Sequence, residues 1–136
     1  MVENASTQQQ KGNIQFDLLS NKVIGCAIAV QRELGPGLLE SVHEQCLAHE
    51  LRLNGIASEL QKAMPVEYKR VQIDCGYRLD LFVEGRFVAE LKAVACIEPI
   101  HEAQVLTYLK VARVKAALLI SFNVRLLKDG IKRFVV

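Results

Sequence analysis

Tyr-Arg-Leu-Asp-Leu-Phe-Val-Glu-Gly-Arg-Phe-Val-Ala-Glu-Leu-Lys, residues 77–92, is typical of two strands joined at Glu84-Gly85. Because side chains alternate between the two faces of a strand, the stretch divides into an apolar and a polar face. The apolar face collects Leu79, Leu81, Val83, Phe87, Ala89 and Leu91, and the polar face collects Arg78, Asp80, Glu90 and Lys92. Two carboxylates beside a lysine form a surface on which a hard cation could sit, with a phosphate next to it.

The length of the connecting loop follows from burial of the apolar face. A three-residue loop, Glu84–Arg86, pairs Val83 with Phe87 and keeps the two faces separate, whereas a two-residue loop would mix them. The same register sets Asp80 directly opposite Glu90, and like charges in that position destabilise a sheet. We therefore expect a cation between the two carboxylates, or a proton on one of them. The alternative is a solvated hairpin face that carries acids by chance.

Length and composition indicate one globular domain. The 136 residues suffice to bury about two thirds of the unfolded surface, and the apolar fraction is 51%. We expect residues 1–17 to be a polar, flexible N-terminus and residues 18–136 to form a single domain. The net charge of +2 neither requires nor excludes a nucleic-acid partner, since a local basic patch would serve.

The cysteines and the apolar runs bear on the compartment. Cys26, Cys46, Cys75 and Cys96 stand alone, without the close spacings of zinc, iron–sulfur or disulfide frameworks. A reduced cytosol suits such cysteines. No signal peptide or apolar run long enough to span a membrane is evident, so we expect a cytoplasmic protein without a membrane partner.

Hydrophobic periodicity and turn residues predict the order α-α-β-β-β-α-β-β. The architecture is then α/β, a mixed sheet of four or five strands with helices packed on it. A strand, a helix and a buried strand near the C-terminus make a crossover, which should be parallel and right-handed. The expected bounds are helices at 18–34, 38–54 and 99–113, and strands at 56–68, 71–93 (the hairpin), 115–122 and 131–136.

Two predicted helices carry further polar groups. Glu40 begins the second helix, with His43 and Glu44 one turn later, and in the third helix Gln104 and Tyr108 share a face with His101. An acid in a first helical turn is also a favourable partner of the helix dipole, and lone histidines are seldom metal ligands. No Gly-rich phosphate loop, GxSxG elbow or Cys/His pair occurs, so a Ser or Cys nucleophile has no support.

The segment Leu34-Gly-Pro-Gly-Leu-Leu-Glu-Ser-Val-His43 resembles the signature of the GxxExxY proteins, small bacterial and archaeal proteins of the PD-(D/E)xK nuclease superfamily. Gly37 and Glu40 fit the pattern, whereas His43 stands where a tyrosine is expected. The resemblance extends over residues 18–136 and includes Tyr-Arg-Leu-Asp80, Glu90-Leu-Lys92 and Gln104-Val-Leu-Thr-Tyr108. It implies a restriction-endonuclease-like core of a helix, a three-stranded meander, a helix and a further strand.

The resemblance also implies a set of site residues. The catalytic positions would be Glu40, Asp80, Glu90, Lys92, Gln104 and Tyr108. Mg²⁺ or Mn²⁺ would be held by Asp80, Glu90 and the backbone carbonyl of Leu91, with Glu40 reaching it directly or through water. The implied role of Lys92 is to orient the attacking water or to stabilise negative charge, while Gln104 and Tyr108 position the lysine or a phosphate oxygen.

The function implied is metal-dependent hydrolysis of phosphodiester bonds in DNA, with RNA as the alternative substrate. A homodimer or a partner protein would help so small a domain to embrace a duplex. Two other classes stay open. One is a non-catalytic nucleic-acid- or protein-binding module on the same fold, and the other is a metal-dependent hydrolase that acts on a nucleotide instead of a polymer.

Overall fold

A computed structural model describes residues 5–74 and 76–136, with side chains from Phe16 onward; the prediction for Cys75 lies outside these residues. Three helices and seven strands follow in chain order, with a short 3-10 turn at Leu127–Gly130 before the last strand. They are α1 (Ala5–Leu34), α2 (Glu40–Leu53), β1 (Ser58–Ala63), β2 (Val66–Tyr68), β3 (Val71–Ile73), β4 (Arg78–Val83), β5 (Phe87–Lys92), α3 (Pro99–Ala112), β6 (Ala116–Ser121) and β7 (Ile131–Val135).

Five strands form one mixed sheet in the order β1-β4-β5-β6-β7. β5 and β6 are parallel and are connected through α3, while the other neighbouring strands are antiparallel. The predicted mixed sheet and the parallel crossover are confirmed, and the last strand lies at an edge of the sheet. Because β5 lies at the centre of the sheet, its side chains meet apolar neighbours on both faces.

The core has two layers, one on each face of the sheet. The larger layer packs α1 and α2 against one face, and the smaller layer packs α3 against the other. The hairpin face predicted to carry the two carboxylates and the lysine also bears apolar side chains, since Phe82 and Val88 pack in the α3 layer. Leu79 also belongs to the α3 layer, whereas Leu81 and Val83 belong to the larger one. A strand covered by helices on both sides must be apolar on both sides.

The turn between β4 and β5 has the predicted three-residue loop, because Val83 pairs with Phe87 and Leu81 with Ala89. Positive φ values at Glu84 (54°) and Gly85 (62°) close this loop. The ladder between the two strands stops at the Leu81–Ala89 pair, one step before the predicted pairing of Asp80 with Glu90. Beyond that step β4 stays paired with β1, and β5 stays paired with β6. The two central strands thus part at the level of the acids.

A second, two-stranded sheet was missed by the sequence prediction. The strand expected at 56–68 is divided near Pro65 into β1 and β2, and β2 pairs with β3 instead of joining the main sheet. Residues 71–73, expected to be part of the β4–β5 hairpin, form β3. Proline cannot donate a ladder hydrogen bond, so the break at this position has a local cause.

The residues at which the three helices begin can be compared with the prediction, and α1 shows the largest difference. α1 begins at Ala5 and not at Leu18, so the polar leader continues the helix. α2 begins at Glu40 after Gly35 and Gly37, which both have positive φ. α3 has proline in its first turn, as predicted, and a capping box in which Glu98 and His101 satisfy each other's backbone N–H groups.

Gly130 packs against the backbone of β6 and provides a test of the packing at that point. A Cβ atom at this position would lie 2.1 Å from the carbonyl oxygen of Ser121, a backbone atom that cannot move independently of β6. We expect Gly130→Ala to reduce the free energy of unfolding by about 2–3 kcal/mol, the cost of overpacking. In Gly25→Ala the new Cβ meets nothing within 4 Å on helix α1. That control should raise stability by about 0.5–1 kcal/mol. Urea unfolding of both variants measures the difference, and equal effects would contradict the packing.

Candidate active site

Asp80 and Glu90 face each other across the point where β4 and β5 part. The backbone N–H of Asp80 donates to Glu90 Oε1 at 3.1 Å, and the backbone N–H of Leu91 donates to Asp80 Oδ2 at 3.0 Å. Each carboxylate therefore takes the place of a backbone carbonyl in the interrupted ladder. The two acids are held within one small region, and they satisfy N–H groups that the parting of the strands would leave without partners.

Glu44 is a third acid of this region, and sequence reasoning left it out of the predicted site. It is buried on α2 and accepts a hydrogen bond of 2.7 Å from Gln61 Nε2, which also lies 3.3 Å from Asp80 Oδ1. A sequence signal did exist, because Glu44 falls on the helical stripe of buried residues that includes Leu47 and Leu51. An acid on the buried stripe of a helix is unusual, and it indicates a polar partner inside.

Glu40 lies at the first position of α2, one turn before Glu44. Its Oε1 accepts a hydrogen bond of 2.9 Å from the backbone N–H of Ala93, immediately after β5. The contact fastens the N-terminus of α2 to the end of the central strand. The rest of the Glu40 side chain is exposed, so Glu40 lies on the solvent side of the acidic region and the buried Glu44 lies on its inner side.

Lys92 and Tyr108 lie near the same acids. Lys92 ends β5, is half-buried, and lowers the pKa of Glu90 through its charge. Tyr108 of α3 is half-buried, and its ring meets Tyr77 edge to face at 5.6 Å. Burial raises the pKa of the Tyr108 hydroxyl, and the charges of Glu90 and Asp80 raise it further. The lysine and the phenol thus stand within electrostatic reach of the carboxylates.

Gln104 and the histidines have different surroundings. Gln104 is half-buried on α3, and its Oε1 has no hydrogen-bond partner among residues 16–74 and 76–136. His43 is buried and stacks on Phe122 at 3.7 Å, so it contributes packing, and burial lowers its pKa. His101 was considered as a metal ligand, but its Nδ1 accepts the backbone N–H of Glu98 in the capping box of α3.

Burial and the repulsion among the acids of this region favour the binding of protons or cations there. Burial and then Asp80 raise the pKa of Glu90 to about 9. Burial raises the pKa of Glu44 to about 8, with further contributions from Asp80 and Glu40. The charges of Asp80, Glu90, Glu44 and Glu40 thus oppose one another in this region, and a divalent cation would relieve that repulsion.

The donor set fits a hard divalent cation, because Asp80, Glu90 and Glu44 present carboxylate oxygens, the preferred ligands of Mg²⁺ and Mn²⁺. In the described part of the chain, no three such side chains already form a ready-made ion cluster. The oxygen atoms of Asp80 and Glu90 are instead engaged by the backbone N–H groups of the neighbouring strand. An ionised carboxylate has two oxygen atoms and about four acceptor sites, so Asp80 and Glu90 could bind an ion while they keep these hydrogen bonds.

Comparison with known proteins identifies the fold family. A profile of the PD-(D/E)XK nuclease superfamily matches residues 17–134, nearly the whole chain. The chain belongs to this superfamily. Its mixed five-stranded sheet, flanked by helices, is consistent with a restriction-endonuclease-like fold. Neither a curated protein nor a solved structure matches the chain significantly. The narrower assignment to the GxxExxY proteins stays a prediction.

Membership in the PD-(D/E)XK superfamily suggests a nuclease that acts on nucleic acid. PD-(D/E)XK nucleases generally depend on divalent metal ions. Of the helices in residues 5–74 and 76–136, none has both the length and the apolar composition needed to cross a membrane. The cytoplasmic location stays a prediction.

The raised pKa of Glu90 makes stability depend on pH. Its folded-state pKa of about 9 lies above the ordinary 4.5, so the folded protein binds more protons between these values. The stability that the protonated Glu90 contributes is complete below pH 4.5 and is lost as pH rises toward 9.

Without metal, we expect Glu90→Gln to raise the melting temperature at pH 8.5 by roughly 3–5 °C, about 1 kcal/mol. At pH 5 the two melting temperatures should agree more closely. Calorimetry in EDTA measures both, and a pH-independent difference would contradict the shift.

Proposed function

We propose that this protein is a metal-dependent nuclease that hydrolyses phosphodiester bonds of DNA at the region formed by Asp80, Glu90, Lys92 and Glu44. The observation that carries the proposal is the parting of β4 and β5 at two acids that bond each other's strands. A third acid, on α2, is linked to Asp80 through Gln61. Such acids, next to a lysine on a central strand, supply the charges that phosphodiester hydrolysis needs.

The acids would hold the ion. Asp80 and Glu90 are the primary ligands in this proposal, with the carbonyl of Leu91 beside them and Glu40 or Glu44 reaching the ion directly or through water. The ion, when bound, would lower the pKa of a water and neutralise charge on the phosphoryl group. The buried position of Glu90 keeps its carboxylate from turning away into solvent, because apolar neighbours surround it on β5.

Lys92 and Tyr108 would act on the substrate. The ammonium group of Lys92 would orient the attacking water or stabilise the negative charge that develops on the phosphate. Tyr108 would donate a hydrogen bond from its hydroxyl group to a phosphate oxygen or would orient Lys92, and its raised pKa keeps the hydroxyl protonated at neutral pH. Gln104, with a buried carbonyl oxygen that lacks a partner in the described residues, would orient the ammonium group from α3.

Cleavage of DNA with Mg²⁺ or Mn²⁺ tests the proposed chemistry. We expect Asp80→Ala, Glu90→Gln and Lys92→Ala each to reduce the cleavage rate by at least 100-fold, the scale typical of a lost charge-stabilising group. Glu33→Gln on the exposed surface of α1 is the matched control and should cleave like the wild type. The assay follows labelled duplex and single-stranded DNA, and a parallel assay uses RNA. Equal cleavage by all the variants would refute the site.

Calorimetric titration with Mn²⁺ separates ion binding from catalysis. Wild type should bind Mn²⁺, and Asp80→Ala should weaken that binding at least tenfold. If the wild type binds nucleic acid but neither binds metal nor cleaves the nucleic acid, the protein is better described as a non-catalytic binding module. Cleavage of a small phosphodiester, without cleavage of polymers, would instead indicate a nucleotide hydrolase.

Glu44 offers a test that sequence reasoning alone would not have suggested. If it belongs to the site, Glu44→Gln should reduce the cleavage rate about 10- to 100-fold, since an acid that reaches the ion through water contributes less than a direct ligand. The hydrogen bond with Gln61 can persist in this variant, so the fold should be retained. Glu50→Gln, on the same helix but beside α1, is the control. A cleavage rate equal to that of wild type would leave Glu44 with a structural role.

A further inference from the structure

The ribbon of β2 and β3 stands apart from the main sheet. Its strands pair Val66 with Ile73 and Tyr68 with Val71, and Lys69 and Arg70 form the tip. The side chains along it are mostly exposed, and Tyr68 keeps 60% of its surface in solvent. Tyr68, Val71 and Ile73 thus leave large apolar side chains exposed on one small ribbon, and contiguous exposed apolar surface is a common feature of interaction sites.

The tip has an unusual backbone. Lys69 and Arg70 both have positive φ, 47° and 69°, as in a two-residue hairpin turn of type I′. Asn-Gly is the pair that such a turn prefers, because neither residue resists positive φ. Here two long basic side chains occupy both strained positions. The sequence thus accepts a conformational cost at the tip while presenting two positive charges there.

The charges at the tip face solvent. Lys69 Nζ lies 5.4 Å from the centre of the Tyr68 ring, so the ammonium group and the aromatic face stand together. Across residues 16–74 and 76–136, the ion pairs nearest in sequence join Glu67 with Arg113 and Glu59 with Lys62, and none includes Lys69 or Arg70. Paired cations next to an exposed aromatic ring match a nucleic-acid strand, which offers phosphates and stackable bases.

The ribbon is attached at the candidate site itself. At its base, the backbone N–H of Met64 donates to the carbonyl of Tyr77 at 2.9 Å, and the Tyr77 ring meets Tyr108. Along its side, Glu67 reaches Arg113 at the end of α3, 3.2 Å away. An exposed pair of this kind is weak in energy, and it shows that this side of the ribbon lies next to the end of α3.

We propose that the β2–β3 ribbon is a nucleic-acid arm, in which Lys69 and Arg70 contact backbone phosphates and Tyr68 packs against a sugar or base of the same strand. The proposal rests on the nuclease function proposed above and adds where the substrate strand is gripped. The three residue pairs of the ribbon span about 10 Å at roughly 3.3 Å each. The tip therefore meets the strand a few nucleotides from the bond held at Asp80 and Glu90.

The turn chemistry suggests a variant that removes the charges without harming the fold. Lys69→Asn with Arg70→Gly places the preferred Asn-Gly pair in the turn, so the melting temperature should stay the same or rise. Arg32→Gln with Arg52→Gln removes the same charge from the exposed ends of α1 and α2 and is the control. Any loss seen with the first variant and not with the control then belongs to the tip.

Fluorescence anisotropy with labelled DNA of about 30 nucleotides, single-stranded and duplex, measures affinity across a range of salt concentrations, with Ca²⁺ in place of Mg²⁺ to slow cleavage. For the tip variant on duplex we expect an affinity loss of roughly 30- to 100-fold near 0.1 M salt and a salt slope smaller by about 2, as for two lost phosphate contacts. Tyr68→Ala should weaken single-strand binding about 5- to 100-fold. The control should bind like the wild type.

Different failures of this experiment have different meanings. If the wild type cleaves DNA but the tip variant binds with the same affinity and salt slope as the control, the arm is refuted and the nuclease function stands. A variant that changes the molecular mass in solution without changing DNA affinity would make the ribbon a protein contact, which also refutes the arm. If the wild type neither binds nor cleaves nucleic acid, both proposals fail.

Discussion

The candidate site depends on two hydrogen bonds at the parting of β4 and β5, in which Glu90 accepts the backbone N–H of Asp80 and Asp80 accepts the backbone N–H of Leu91. A sheet that loses its ladder between two central strands leaves buried N–H groups without partners, at a cost of about 1–3 kcal/mol each. Here the carboxylates of Asp80 and Glu90 accept two of those N–H groups, at 3.0 and 3.1 Å respectively. The opening in the sheet can therefore exist because the acids satisfy its edges. The same acids are the groups that a cation would bind.

The surrounding fold holds this opening in place from three directions. α3 covers one face and brings Tyr108 toward the acids, while α2 covers the other and contributes Glu44. Glu40 ties the start of α2 to the backbone just after β5. On β5 itself, Glu90 belongs to a run of five consecutive buried residues, Phe87–Leu91, which holds its backbone inside the core. A charged group at this depth is unfavourable alone, and the raised pKa of Glu90 reflects that cost.

Much of the fold was predictable, because its signals are local. Alternation along residues 77–92 and the need to bury one face predicted the three-residue loop, and the Val83–Phe87 pairing confirms it. The order of a strand, a helix and a buried strand near the C-terminus predicted the parallel crossover, and the pairing of β5 with β6 confirms it. The β2–β3 ribbon was missed, because no pattern separates β2 from a bent continuation of β1, or β3 from the start of the predicted hairpin. Leu79 was placed on the wrong layer, since alternation alone does not reveal where a strand loses one of its partners.

The sequence by itself determined the kinds of groups available: the acids at positions 80 and 90, the lysine at 92, and the order of helices and strands that a superfamily profile matches over residues 17–134. Only the tertiary structure decided which of them meet. It placed Glu44, from a helix distant in the chain, beside Asp80, and it used His43 for packing against Phe122. The physical reason is that the chemical character of a side chain is set by its residue type alone. Which side chains of a helix and of the sheet meet is set by how the two apolar layers pack.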